Sequence, residues 1–145
     1  MTATPSPSET GPAIPKAAQA HTEAGAVAFF KFFVDQVNES YMTPRDDLIP
    51  LHSETDCQSC KALNEQATEL VSEKQRSDKP PFSATAVSVQ PSPIDRVRIN
   101  LTMVTNPVIV LDASGAEVSR QAKASEPRTA VISWKGGRWL VYAVA

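Results

Sequence analysis

The sequence predicts an α+β domain in which three N-terminal helices pack on one face of a curved antiparallel sheet of about five strands. Two observations carry that prediction. Apolar residues recur at helical intervals before Pro81 and at every second position after it. The first helical stretch also places Phe29, Phe30, Phe32 and Phe33 around a single Lys31, which is too much apolar surface to stand in water without a sheet against it. The length of 145 residues, 41% of them apolar and 21% charged, is one domain's worth of material.

Residues 1–22 read as a disordered Pro/Ser/Thr-rich tether and residues 23–145 as a single domain. The tether carries Pro5, Pro7, Pro12 and Pro15, with Ile14 its one sizeable apolar side chain. It has too little to bury to offset the entropy of ordering, so a mobile, extended spacer is expected. Thr22 is suited to cap a helix over 23–41. Ala26, Phe30, Phe33, Val37 and Tyr41 form its stripe, which Phe29 and Val34 widen, and Lys31, Asp35, Asn38 and Glu39 take much of the rest.

Thr43-Pro44-Arg45-Asp46 has the pattern of a second helix start and leads into a short segment over 47–51. The third helix is expected from about Asp56 or Cys57 to about Ser77. Its buried stripe is Cys60, Leu63, Ala67, Leu70 and Val71, opposite solvated Lys61, Glu65, Glu69, Glu73, Lys74 and Arg76, and Pro80-Pro81 ends it. Beyond Pro81 the alternation predicts strands over 82–90, 96–105, 108–111, 116–124, 128–135 and 138–145, with Pro127 as a break and Gly136-Gly137 as a hairpin turn. The clearest is 96–105, where Val97, Ile99, Leu101 and Met103 share one face and Arg98, Asn100 and Thr102 the other.

Composition excludes several functions. With 14 Lys and Arg against 16 Asp and Glu, the chain has no basic footprint for nucleic acid. No window approaches the roughly 20 apolar residues of a membrane helix, and the N-terminus shows no apolar signal-peptide core.

Cys57-Gln58-Ser59-Cys60 holds the only two cysteines. Zinc would need further ligands, and only His21 and His52 are on offer. A thioredoxin-type redox pair would follow a strand, and none precedes Cys57. A structural disulfide fits residues three apart at a helix end and would contribute about 2 kcal/mol. Two buried reduced thiols remain the other reading. A bridge implies an oxidising compartment.

His21 and His52 read as solvated loop histidines with no catalytic partner. Asp46, Asp47, Glu54 and Asp56 cluster around the second helix, and Asp95, Asp112, Glu117 and Glu126 fall at strand ends or turns. The concave side of the sheet is therefore expected to be dry and uncharged, able to bind but poorly equipped to move protons. The candidate pocket is formed by Phe30, Phe33, Val37 and Tyr41 of the first helix, Val97, Ile99, Leu101 and Met103 of the sheet, and Trp134 and Trp139 of the last hairpin. Trp134, Trp139 and Tyr142 read as cross-strand packing or as an aromatic wall. Arg96, Arg98, Arg120, Arg128 and Arg138 suggest a mildly basic outer stripe.

A Phe-rich first helix, a short second helix, a third helix and long strands ending in a Trp-containing hairpin resemble the nuclear-transport-factor-two-like, or ketosteroid-isomerase-like, cystatin-like cone fold. Thr22-Glu23-Ala24-Gly25-Ala26-Val27-Ala28-Phe29-Phe30, followed by Asp56-Cys57-Gln58-Ser59-Cys60, is similar to a family of uncharacterised actinobacterial cell-envelope lipoproteins. That resemblance implies export, with a lipid anchor that this chain lacks, Met1 standing in its place. The isomerase-like enzymes' catalytic Tyr and Asp find no matching positions here.

The expected function is a non-enzymatic cell-envelope module that binds a small apolar ligand or an envelope protein. No cofactor, metal or nucleic acid is expected, and the chain should be a monomer or weak homodimer. The alternatives are a small isomerase- or dehydratase-like enzyme using Tyr41, His52 or Asp46 at the pocket mouth, and a structural or dimerisation domain.

Overall fold

The structure is a computed structural model that describes residues 13–145. Thr22 opens α1 (Glu23–Met42) as expected, its hydroxyl accepting the Gly25 amide at 2.9 Å. α2 is a single turn (Leu48–Leu51), and α3 (Gln58–Glu73) follows it. The helix start expected at Thr43 is not there: the Thr43 amide still bonds the Glu39 carbonyl, so this threonine closes α1 rather than opening α2. α3 stops short of Ser77 because Lys74 turns left-handed at φ 56° and its amide bonds back to Leu70 and Val71. Its stripe is narrower than expected as well, for Val71 is 41% exposed.

Seven strands follow, split between two antiparallel sheets. β2 (Phe82–Gln90), β3 (Arg96–Thr105), β6 (Ala124–Lys135) and β7 (Arg138–Val144) form the main sheet in the order β2-β3-β6-β7. β1 (Arg76–Ser77), β4 (Val108–Leu111) and β5 (Glu117–Gln121) form a small one in the order β1-β4-β5. β6 begins earlier than predicted and runs through Pro127, which pairs with Thr102. Proline is tolerated there because β7 pairs with β6 only from Ala130 onward, so the missing N–H faces no partner strand. Bulges between Thr85 and Ser88 on β2 and opposite Val131 and Ile132 on β7 bend the sheet around α1.

All four phenylalanines of α1 are buried, as are Tyr41 and, on its other sides, Gln36, Asn38 and Ser40. The sheet covers only part of that surface, so α2, α3 and residues 13–22 cover the rest. Asn38 serves as a strand substitute: its amide donates to the Phe82 carbonyl and accepts from the Phe82 amide, both at 2.9 Å, which ties the outer strand β2 to α1. At the other border of the sheet, His52, Ser53 and Glu54 run beside β7, bonding Val141 through the His52 carbonyl and the Glu54 amide. That occupies an otherwise open edge.

The expectation of a mobile tether to residue 22 is corrected for its last ten residues; residues 1–12 of that reading lie outside the described residues. Lys16–Gln19 make a 3-10 turn whose Ala18 is 1% exposed, and Ile14 packs on the core. The Trp139 indole donates to the Ala20 carbonyl at 2.8 Å. The His21 ring lies flat on Trp134, 4.2 Å between centroids, with Nε2 2.6 Å from an Asp95 carboxylate oxygen. Few apolar side chains suffice because two tryptophans supply the surface.

Gly25 makes this approach possible, since a Cβ there would sit 2.0 Å from the Ala20 oxygen. In an unobstructed helix Gly→Ala gains up to about 1 kcal/mol. Here Gly25→Ala is expected to lose about 1–3 kcal/mol in denaturant unfolding and to red-shift the tryptophan emission as Trp139 becomes wetter. A gain in stability would show that the segment is not held against α1.

Candidate functional site

α1 and the sheet touch along one half of the strands and part along the other. Near the β6–β7 turn, Val97, Ile99, Leu101, Ala130, Ile132, Trp139 and Val141 are each at most 4% exposed and fill the space completely. At the far end, α1, α3 and the strand ends line a cleft of about 750 Å³. Its floor is apolar: Phe30, Phe33, Val37 and Tyr41 from α1, Leu63 from α3, and Phe82, Met103 and Val144 from the sheet. Its rim is polar, with Glu65, Gln66 and Glu69 exposed along α3 and Gln121, Glu126 and Arg128 on the sheet side.

Of the residues expected in the pocket, the structure brings Phe30, Phe33, Val37, Tyr41 and Met103 together. Val97, Ile99 and Leu101 are instead packed core, because their half of β3 lies directly against α1. Trp134 and Trp139 stand at the opposite end, facing each other across the hairpin at 5.0 Å beneath residues 13–22, and do not line the cleft. Leu63, Phe82 and Val144 were not anticipated as lining, although Leu63 sat in the helical stripe. Glu126 was missed because Pro127 made it read as a turn residue, and Arg128 because, at the start of the strand predicted after Pro127, it was assigned to the outer face.

The expectation of an uncharged hollow therefore holds for the floor and fails at the mouth. Glu126 and Arg128, two apart on one strand, share a face and form an ion pair there. Tyr41 is the one titratable group of the floor. Its hydroxyl donates to the Leu63 carbonyl at 2.8 Å, and burial pushes its pKa up.

His52 is not the solvated histidine expected from its polar neighbours. It is 1% exposed, edge-on to Phe32 and Phe29 at 5.1 and 6.1 Å between centroids, and outside the cleft. Burial, with the Arg138 charge adding to it, pulls its pKa down to about 4. Asp46 is exposed and also outside the cleft. The arginines do not form a stripe: Arg120 and Arg128 pair with Glu117 and Glu126, Arg96 lies 4.2 Å over the Tyr142 ring, and Arg138 donates to the Leu51 carbonyl.

Cys57 and Cys60 form a disulfide at the N-terminus of α3, their Cα atoms 5.2 Å apart and both residues at most 2% exposed. Between them, Ser59 faces the cleft and its hydroxyl accepts the Val144 amide at 3.0 Å. The bridge thus holds the turn that fastens α3 to the end of β7.

Residues 5–145 match the model of a family described as being of unknown function, DUF6318. No curated protein matches the sequence. Among solved structures, the intermembrane space region of the chloroplast protein ARC6 is similar at a TM-score of 0.57 and 13% identity, over 83% of this chain and 92% of that one. A Caulobacter vibrioides protein described as uncharacterised with a cystatin-like fold aligns at a TM-score of 0.49 and 8% identity, over 81% and 85% of the two chains. A Nostoc punctiforme protein of unknown function, also described as having a cystatin-like fold, aligns at 0.48 and 9%, over 82% and 89%. At 13% identity the likeness to the ARC6 region is one of fold alone.

His52 titrates near 6.5 when unfolded and near 4 when folded, so between those values the unfolded state binds more protons and stability is lost as pH falls. The expected loss is about 2 kcal/mol between about pH 7 and pH 5, and His52→Leu should flatten that part of the profile in thermal melts. Replacing both cysteines by serine should cost about 2 kcal/mol in denaturant unfolding at neutral pH. Thiol labelling of the native wild-type protein should find no reactive sulfur.

Proposed function

Because the chain belongs to DUF6318, a family of unknown function, its role has to be read from its own geometry, and we propose that it is a non-enzymatic binding module whose ligand inserts an apolar body into the cleft between α1, α3 and the strand ends. The observation that carries this reading is the floor: eight apolar or aromatic side chains from three layers of the fold converge on one open volume of about 750 Å³, within the size range of small-molecule sites. The enzyme alternative draws less support. Of Tyr41, His52 and Asp46, only Tyr41 reaches the cleft, and its proton is engaged by a backbone carbonyl.

We place the module outside the cytoplasm, in the cell envelope. The disulfide is compatible with an extracytoplasmic location, and no helix of the described residues is long and apolar enough to cross a membrane. Export and attachment through a lipid anchor are part of this proposal.

The test is binding of a neutral, environment-sensitive dye such as Nile red. Saturable binding is expected in the wild type. Ala62→Trp, an exposed α3 residue that lines the cleft, should weaken it by about ten-fold or more while leaving the melting temperature in place, because a bulky ring there fills the volume. Dye binding that Ala62→Trp leaves unchanged would place the ligand elsewhere.

A further inference from the structure

We propose that the cleft selects amphiphiles with a cationic head, an amine or quaternary ammonium group carried on an apolar body. The proposal rests on the cleft being the binding site. The charge at the mouth carries it. The rim carries three carboxylates, Glu65 and Glu69 on α3 and Glu126 on β6, against a single cation, Arg128. Arg128 is already committed, donating to Glu126 from the neighbouring register position. Glu65 and Glu69 lie four residues apart on the face of α3 that borders the cleft, and neither carboxylate has an ion-pair partner among the described residues.

Like charges at that spacing repel, so a cation arriving at the mouth relieves a tension that the fold leaves standing. A carboxylate or phosphate head meets the opposite situation. It faces two unpaired glutamates and must break the Arg128–Glu126 pair to find a partner. An apolar tail alone would enter without distinguishing heads. The distinction comes from the rim.

The experiment compares matched probes on the full chain below their micelle concentrations: decyltrimethylammonium, decanoate and neutral decyl glucoside, by calorimetry at neutral pH. Decyltrimethylammonium is expected to bind at least about ten-fold more tightly than decanoate at low salt, with the gap narrowing at high salt. Glu65→Gln with Glu69→Gln should shrink the gap to within about three-fold and leave decyl glucoside binding unchanged. Decanoate bound as tightly as the cation, or a preference that survives the double substitution, overturns the proposal. In that event, decyl glucoside binding that Ala62→Trp abolishes leaves the cleft reading standing. Failure of all three probes to bind overturns both.

Discussion

The fold is organised by one difficulty: α1 carries apolar side chains on too many sides for any single neighbour to cover. A sheet buries a stripe of a helix, and here Phe29 and Phe32 lie toward His52 while Phe30 and Phe33 lie toward the cleft and the strands. Every other element can be understood as an answer to that excess. The one-turn α2 contributes Leu48 and Ile49, α3 closes another flank, and the residues ahead of α1 close the last. Where the answers meet imperfectly, between α3 and the diverging strand ends, apolar surface is left lining a volume rather than packed. The candidate site is therefore a remainder of the same burial that makes the domain stable.

The chemistry of that volume follows from which side chains can reach it. Strand positions facing the middle of α1 are pressed into the core and are all apolar. Only the strand ends and the outer turns of α3 can present charge, and there charge is solvated. The result is a greasy interior with an ionic lip. Such a division suits discrimination among amphiphiles. Proton transfer would ask for a titratable pair deep inside, and the deepest titratable group, Tyr41, spends its hydrogen on the backbone of α3. The buried His52 sits behind α1, among phenylalanines, where it acts on stability.

Much of the architecture was legible because it depends on periodicity. The α1 start at Glu23 and the limits of β2, β3 and β4 follow directly from cap chemistry and alternation. What escaped depends on distant partners. Ile14 and Ala18 look too sparse to order a proline-rich segment until Trp134 and Trp139 are placed beneath them. His52 looks solvated among Ser, Glu, Thr and Asp until its backbone is seen joining β7 and its ring turned inward. Pro127 looks like a break until the neighbouring strand is known to end before it. For the cleft, sequence showed which residues face inward and could not show where along β3 the helix lifts away. Met103 thus borders a cavity while Val97, Ile99 and Leu101, in the same alternating row, do not.

The position of the Ala20–Trp139 contact has a geometric consequence. It sits at the turn end of β6 and β7, whereas Glu126 stands at the start of β6, eight residues from Trp134, the strand partner of Trp139, or roughly 26 Å along an extended strand. Residues 13–22 are thus pinned to one pole of the domain, and the cleft opens at the other. On the proposed reading, in which the chain is attached ahead of residue 13, the cleft would stand off from the attachment and face away from it.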